Sequence, residues 1–365
     1  MSWRRVRLGE RPLAVLDLPV AEPVAHVLVD GAPRARTVLT LSHWPGTPTP
    51  GALRADLSTE IALAAVSRRW PLPRRVAGAT LDHLDVDGLL GLLVLAEPSV
   101  AEGEGSLLVE AARVGDFGVV RDPRAAMLAF GLAYWLGVDP MVGFGRAGAR
   151  PTQAWSLVEA LEVARRVLGW ARAGADGEAA GAGARPGADG PAGLAEELAG
   201  WRASERALAA GQVVLSEEPE RDLLVVRPRA GCWPVGGGLG DLPVHPAALH
   251  SASPRSRVCL VGEDRLVCWF RYETWVRLGR GRPSGMRPRV DLGPLAAELS
   301  AWPDGGGPWR FPGPAAVVPW LTPAGPVADP EAVLDRLRAE LDRRDRQLPA
   351  WDPEARSPVP AAPTG

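Results

Sequence analysis

The residues best suited to chemistry lie in Leu81-Asp82-His83-Leu84-Asp85-Val86-Asp87-Gly88. His83, Asp85 and Asp87 occupy alternate positions, and alternation in an extended segment points such side chains the same way. Converging carboxylates repel unless a cation sits between them. Hard oxygen ligands with an imidazole suit Mn²⁺ or Mg²⁺, and Gly88 permits a tight turn. The spacing therefore predicts a metal site with His83, Asp85 and Asp87 as ligands, and with His83 and Asp87 nearest to catalysis. An acidic turn in which Asp85 or Asp87 caps the next helix accounts for the same residues. A calcium-binding helix–loop–helix starting at His83 is excluded, because its twelfth position is Val94.

Two further candidates join this segment. His43, in Leu41-Ser42-His43-Trp44-Pro45-Gly46, directly follows a strand-like run, although a histidine satisfied in a loop beside Trp44 explains it too. Asp116, in Gly115-Asp116-Phe117-Gly118, reads as a turn residue that could serve as a bridging metal ligand. Asp56 and Glu60 are four apart and are expected to share a solvated helix face.

Composition removes competing chemistries. The sequence holds no Lys and no Asn, so all 41 positive charges are Arg. A phosphate-binding P-loop, a Schiff base and N-glycosylation are thereby excluded. Metal ions, amides of Gly-rich turns and arginine remain as ways to hold a phosphate. A net charge of −2 argues against a general nucleic-acid coat. There is no Gly-x-Ser-x-Gly and no Cys-x-x-Cys, and Gly236 to Gly240 does not open a helix after a strand, as a nicotinamide site would require.

The elements that must position these residues can be read from periodicity. Leu13 to Leu18, His26 to Val29, Thr37 to Leu41 and Val76 to Leu81 read as strands. Leu53, Leu57, Ile61 and Ala65 fit a helix, and the apolar run Leu89 to Ala96 is expected to be buried. Asp122-Pro123 opens an apolar, central helix through Leu136. Thr152 is expected to start another, through Leu168. Residues 171–192 collapse to Ala, Gly, Asp, Arg and Pro and read as a disordered linker. Beyond it come a helix over Leu194 to Ala210, strands near Val213 and Leu223, and a hairpin around Gly262-Glu263-Asp264 that opposes Cys259 to Cys268, read as reduced thiols. Leu292 to Trp302 forms a helix. A last helix opens at Asp329-Pro330, with Leu334, Leu337, Leu341 and Leu348 as a seam.

The expected architecture is α/β. A domain over 1–170 has a mainly parallel sheet with flanking helices. A smaller α+β domain spans 193–348, and 349–365 form a disordered tail. In such a sheet, turns at the carboxyl ends of strands bind ligands.

His83-x-Asp85-x-Asp87-Gly88 after a strand resembles the first motif of the DHH-type phosphoesterases. That resemblance implies two Mn²⁺ or Mg²⁺ ions held by Asp and His ligands at sheet edges. The nearest echo of the namesake Asp-His-His is Leu41-Ser42-His43-Trp44. It is followed by Ser58-Thr59-Glu60-Ile61, similar to the family's Ser-Thr-x-Glu helix. The echo precedes the first motif here, as in a circular permutation or by coincidence. Val290-Asp291-Leu292-Gly293-Pro294-Leu295-Ala296, leading to Gly305-Gly306-Gly307, resembles the family's substrate-binding domain. The resemblance implies phosphate contacts from Arg287, Arg289, Gly305, Gly306 and Gly307. The chain is also similar to an uncharacterised bacterial family with a His-Phe-Asp-x-Asp-Gly core. Asp85-Val86-Asp87-Gly88 resembles the start of haloacid-dehalogenase-like phosphatases as well, with Leu89 where Thr or Val is usual.

The resulting expectation is a metal-dependent phosphohydrolase in which a metal-bound hydroxide attacks a phosphate ester. Its substrate would be a phosphorylated small molecule or nucleotide. The alternative is a non-catalytic nucleotide- or partner-binding protein on the same scaffold. Met1-Ser2-Trp3-Arg4-Arg5 precedes no apolar run, no stretch approaches the roughly 20 apolar residues of a membrane span, and three cysteines are few. These features predict a cytoplasmic protein, and the leucine seam of the last helix, which either docks onto its own domain or pairs two chains, predicts a monomer or homodimer.

Overall fold

The structure is a computed structural model that describes residues 5–139, 141, 155–173, 193–229, 242–276 and 286–347. The chain is mixed α/β. It forms two compact units, residues 1–199 with 276–281, and residues 200–275 with 282–365.

In the first unit, β1 (Arg5–Arg7) and β4 (Pro71–Pro73) make an antiparallel pair. A second sheet contains β2 (His26–Val29), β3 (Thr37–Leu41) and β5 (Gly78–Leu81), all parallel, in the order β3-β2-β5. Every residue of β2 and β5 is buried. This fits parallel strands covered on both faces, which read as continuous apolar runs. The central strand is β2, with β3 and β5 on either side, so the carboxyl ends of all three strands lie along one edge of the sheet, where ligands bind in such folds.

The helices are α1 (Leu18–Ala21), α2 (Ser58–Ser67), α3 (Val86–Ala96), α4 (Val100–Phe117), α5 (Pro123–Leu136) and α6 (Leu157–Ala173), followed by α7 (Leu194–Ala209). Residues Val86 to Leu95 are all buried. α3 packs on α2, α4, α5, α6 and the sheet, so it, rather than α5, is the central helix. The α5 boundaries follow from chemistry: Asp122 accepts from the Arg124 amide at 2.9 Å, Pro123 opens the helix, and Gly137 ends it in the left-handed region.

Several expectations need correction. The strand over Leu13–Leu18 shrinks to one bridge, Val15 to Ala79, because α1 begins at Leu18. Thr152 lies outside the described residues, and α6 is instead started by a reciprocal capping box between Ser156 and Glu159. Asp17 adds a carboxylate to its Leu157 amide at 2.7 Å. The same helix runs to Ala173, so residues 171–173 are helical and not linker. The remainder of the linker, Cys232, Gly236 to Gly240, Leu348 and the tail over 349–365 lie outside the described residues.

In the second unit, β6 (Val213–Glu218), β7 (Leu223–Pro228), β8 (Arg257–Val261), β9 (Leu266–Phe270), β10 (Trp309–Arg310) and β11 (Trp320–Pro323) form one sheet in the order β10-β11-β9-β8-β7-β6. Its pairs are antiparallel except β7–β8. Cys259 and Cys268 are free thiols directly opposite each other in the β8–β9 hairpin. The remaining helices are α8 (Pro246–Ala252), α9 (Glu273–Val276), α10 (Gly293–Ala301) and α11 (Pro330–Asp345). Val333, Leu334, Leu337 and Leu341 of α11 sink into this unit's own core beside Leu223, Cys259 and Cys268. Among the described residues, no helix is long and apolar enough to cross a membrane.

Candidate metal centre

The carboxyl ends of the three parallel strands are followed by Asp30, by Ser42-His43 and by Asp82-His83. The strand order therefore gathers segments from three separate places in the sequence. Asp30 comes directly after β2 and adopts φ 47°, a left-handed backbone that is unusual for a residue with a side chain. Gly31 follows at φ 143°, where a Cβ would overlap Asp82. The chain turns sharply here, and the Asp30 carboxylate faces Ser58, His43 and His83.

Asp87 is fixed by a helix start. Leu57 precedes α2 without a side-chain cap, so the first amides of that helix need acceptors. Asp87 supplies them. Its Oδ2 accepts from the Ser58 amide at 2.7 Å and its Oδ1 from the Thr59 amide at 2.8 Å. Thr59 Oγ1 donates back to the Asp87 carbonyl at 2.8 Å, and Ser58 Oγ donates to Asp30 Oδ1 at 2.8 Å. The start of α2 thus aligns two carboxylates. The opening of α3 is capped in the ordinary way, by Asp85 Oδ1 accepting from the Gly88 amide at 2.8 Å.

His43 enters from the end of β3. Its Nδ1 is 2.6 Å from the Asp56 carbonyl oxygen. Its Nε2 is 3.4 Å from Asp30 Oδ1, 3.3 Å from Asp116 Oδ2 and 3.9 Å from Asp87 Oδ2. His83 Nε2 lies 3.2 Å from Asp85 Oδ2 and 3.6 Å from Asp30 Oδ2. Two three-residue groups result: Asp30, His43 and Asp87, all buried, and Asp30, His83 and Asp85, nearer the surface. Within each group the possible ligand atoms lie within 4.8 Å of one another. Asp30 belongs to both, with Oδ1 toward the first and Oδ2 toward the second.

The electrostatics show why a cation suits this place. Burial, reinforced by Asp87, Asp85 and Asp30, pushes the Asp116 carboxyl well above the usual range. Burial and the Asp85 charge do the same to Asp30, and burial followed by the Asp85 charge raises Asp87 against the pull of His43 and the two amides. At Asp85 burial is outweighed by His83 and the Gly88 amide, so its carboxyl is held low. Burial likewise opposes charge on His83, yet Asp85, Asp30 and Asp82 push it up to about 10. Both oxygens of Asp116 and Oδ2 of Asp30 are buried without a hydrogen-bond partner among the described residues. Buried carboxylates of this kind are costly unless paired or bound to a metal. Oxygen and imidazole donors fit a divalent cation such as Mn²⁺ or Mg²⁺.

Sequence reasoning named five of these six residues and missed Asp30. Its signal was available: Val27-Leu28-Val29-Asp30-Gly31 is a buried strand running into an Asp-Gly turn. The geometric reason offered for the triplet needs replacing. Asp87 sits in the first turn of α3, not in an extended segment, so helix starts rather than alternation bring it to the site. Asp116 is not in a turn either; it lies in the last turn of α4, which Gly118 terminates. Asp30, not Asp116, is placed to bridge the two groups. Asp56 precedes α2 and shares no helix face with Glu60; its carbonyl orients His43.

The substrate-binding residues expected in the second unit have other partners. The guanidinium of Arg289 donates to Thr274 Oγ1 and to the carbonyls of Pro314, Ala316, Arg271, Tyr272 and Val317. It ties loops together and leaves no fork for a substrate. Arg287 donates to the Glu220 carbonyl. A Cβ at Gly305 would overlap the Leu299 carbonyl, its own carbonyl accepts from Trp309 Nε1 at 2.6 Å, and a Cβ at Gly306 would press on the Pro326 carbonyl at 2.5 Å. Gly306 and Gly307 have positive φ. Gly305 and Gly306 thus pack closely against neighbouring backbone near the end of α10, whereas a Cβ at Gly307 would meet nothing within 4 Å.

No curated protein and no solved structure gives a significant match to the chain. One family model does match, over residues 17–332, and its span includes all six clustered residues and most of both units. The chain therefore belongs to DUF6687, a family of unknown function.

Proposed function

We propose that the chain is a divalent-metal-dependent phosphohydrolase whose centre is formed by Asp30, His43, His83, Asp85, Asp87 and Asp116. The observation that carries this reading is Asp30, whose two carboxylate oxygens face two separate Asp/His groups. A shared carboxylate between two cation positions is the arrangement expected where both ions act on one substrate. When bound, such ions make a water nucleophilic near neutral pH and offset charge on phosphoryl oxygens. The resemblance to DHH-type phosphoesterases, in permuted order, supports the same reaction class.

The chain's own residues have separable tasks. His43 presents Nε2 because its Nδ1 is engaged by the Asp56 carbonyl. Ser58 and Thr59 hold Asp30 and Asp87 in register. His83 is 43% exposed whereas Asp30 and His43 are 1% and 0% exposed, so substrate arrives from the His83 side. A haloacid-dehalogenase-like mechanism fits less well. It would use Asp87 as a proton donor, and both oxygens of Asp87 already accept amides.

The test is metal content after purification, with Mn²⁺ titration by calorimetry and hydrolysis of a chromogenic phosphodiester. Bound metal, together with metal-dependent turnover lost in Asp30→Asn, is the expected result. A protein that takes up no Mn²⁺ would exclude this function.

A further inference from the structure

We infer that Arg34 is the residue that receives the phosphoryl oxygens of the substrate, held ready by Asp82 at the mouth of the centre. This rests on the phosphohydrolase reading and extends it to substrate binding. Arg34 lies on the segment that leads from Asp30 to β3. Its amide donates to Thr37 Oγ1 at 2.9 Å and its carbonyl accepts from the Thr37 amide at 3.0 Å. Thr37 Oγ1 is in turn 2.9 Å from His26 Nε2. The backbone that carries Arg34 is therefore pinned at the amino ends of β2 and β3, and it is the side chain that extends toward the carboxyl edge where the centre lies.

The side chain reaches Asp82, with Nη2 on Oδ1. Asp82 immediately precedes His83, its charge contributes to raising that imidazole, and its Cβ fills the space that a side chain at Gly31 would need. The arginine is thus anchored where the two ligand-bearing loops meet. Arg34 is 40% exposed and Asp82 only 7%. Nη1 and Nε make no other hydrogen bond among the described residues. Nη2 is engaged by Asp82 while the side chain stays part-exposed, so the guanidinium can still offer a charge-assisted hydrogen bond to a phosphate oxygen.

Charge gives a second reason. Asp30, Asp82, Asp85, Asp87 and Asp116 supply five negative charges when ionised. Two divalent cations would leave the set one negative charge from neutral, and an anionic substrate would be repelled. Arg34 cancels that charge. With no Lys in the chain, only arginine can do so as a fixed cation. Arg34 is hydrogen-bonded to the 82–88 segment through Asp82. Arg113, on α4, is instead tied to Glu60 and Glu110.

The deciding experiment compares the intact protein with Arg34→Gln and Arg36→Gln, all loaded with Mg²⁺. Inorganic phosphate binding is measured by calorimetry, and Mn²⁺ stoichiometry is measured separately. The expected result is phosphate affinity weakened about tenfold or more in Arg34→Gln, the scale of one charge-assisted hydrogen bond, with unchanged Mn²⁺ stoichiometry. Arg36→Gln, an exposed arginine on the same loop, should bind phosphate like the parent. In turnover, Arg34→Gln should raise KM more than it lowers kcat. Equal phosphate affinity in Arg34→Gln and the parent would overturn the assignment while leaving the phosphohydrolase reading intact. An equal loss in Arg36→Gln would also overturn it, pointing to diffuse charge. A metal-loaded parent that binds no phosphate would overturn both.

Discussion

Nδ1 of His43 lies 2.6 Å from the carbonyl oxygen of Asp56. A carbonyl can only accept, so the neutral ring carries its proton on Nδ1 and turns the Nε2 lone pair toward Asp30 and Asp116. Fixing the far nitrogen in this way sets the tautomer and orientation of a metal-binding histidine. His43→Ala should therefore remove the buried ion and leave the outer one. Calorimetric titration should show Mn²⁺ uptake falling from two per chain to one. Retention of both would place His43 outside the centre.

Metal binding should be visible as stability. A ligand that binds only the native state at 100 times its Kd stabilises by about 2.7 kcal/mol. For a unit of this size that shifts Tm by roughly 5–10 °C. Thermal unfolding in saturating Mn²⁺, compared with the chelator-treated protein, measures it. Identical midpoints would argue that no cation is held.

The carboxyl of Asp116 is raised by burial and by three neighbouring carboxylates. From the unfolded value of about 3.9 up to the raised native value, the native state holds a proton that the unfolded chain has lost. Stability of the metal-free protein therefore falls as pH rises through that window and levels off above it. Asp116→Asn should raise Tm of the metal-free protein at pH 7, with the gain shrinking toward pH 4, and should weaken Mn²⁺ binding. A variant less stable than the parent at pH 7 would contradict the electrostatic account.

Asp85 and Asp122 both cap helices, but only Asp85 belongs to an Asp/His group. Each change to Ala should cost about 1 kcal/mol through the lost cap. Asp85→Ala should additionally lose the outer ion, and Asp122→Ala should not. Denaturant unfolding in chelator and Mn²⁺ titration separate the two effects. Equal Mn²⁺ binding by both variants would restrict Asp85 to capping.

Local chemistry made parts of the fold legible. Pro123 and Gly137 bracket α5, and Thr37 to Leu41 forms the strand its β-branched run suggests, because a cap or an apolar alternation acts within a few residues. The site was half legible for the same reason. His83, Asp85 and Asp87 are neighbours in sequence, whereas Asp30 is one carboxylate after a short strand. Its meaning comes from the order β3-β2-β5, which no local pattern encodes. Asp116 was recognisable as a residue and misread as a turn: the two glycines around Asp116-Phe117 suggested a loop, but Gly115 is tolerated inside α4 against Val86. Arg289 looked like a free cation because the carbonyls it collects come from loops distant in sequence.

Asp30 gives one oxygen to each Asp/His group. Two ion positions joined through one carboxylate are thermodynamically linked, and the factor by which either ion alters affinity for the other must be the same in both directions. Uptake of a divalent ion should thus depart from two independent isotherms. Turnover should follow the doubly loaded population, so activity would rise more steeply than in proportion to free metal while the sites are sparsely filled.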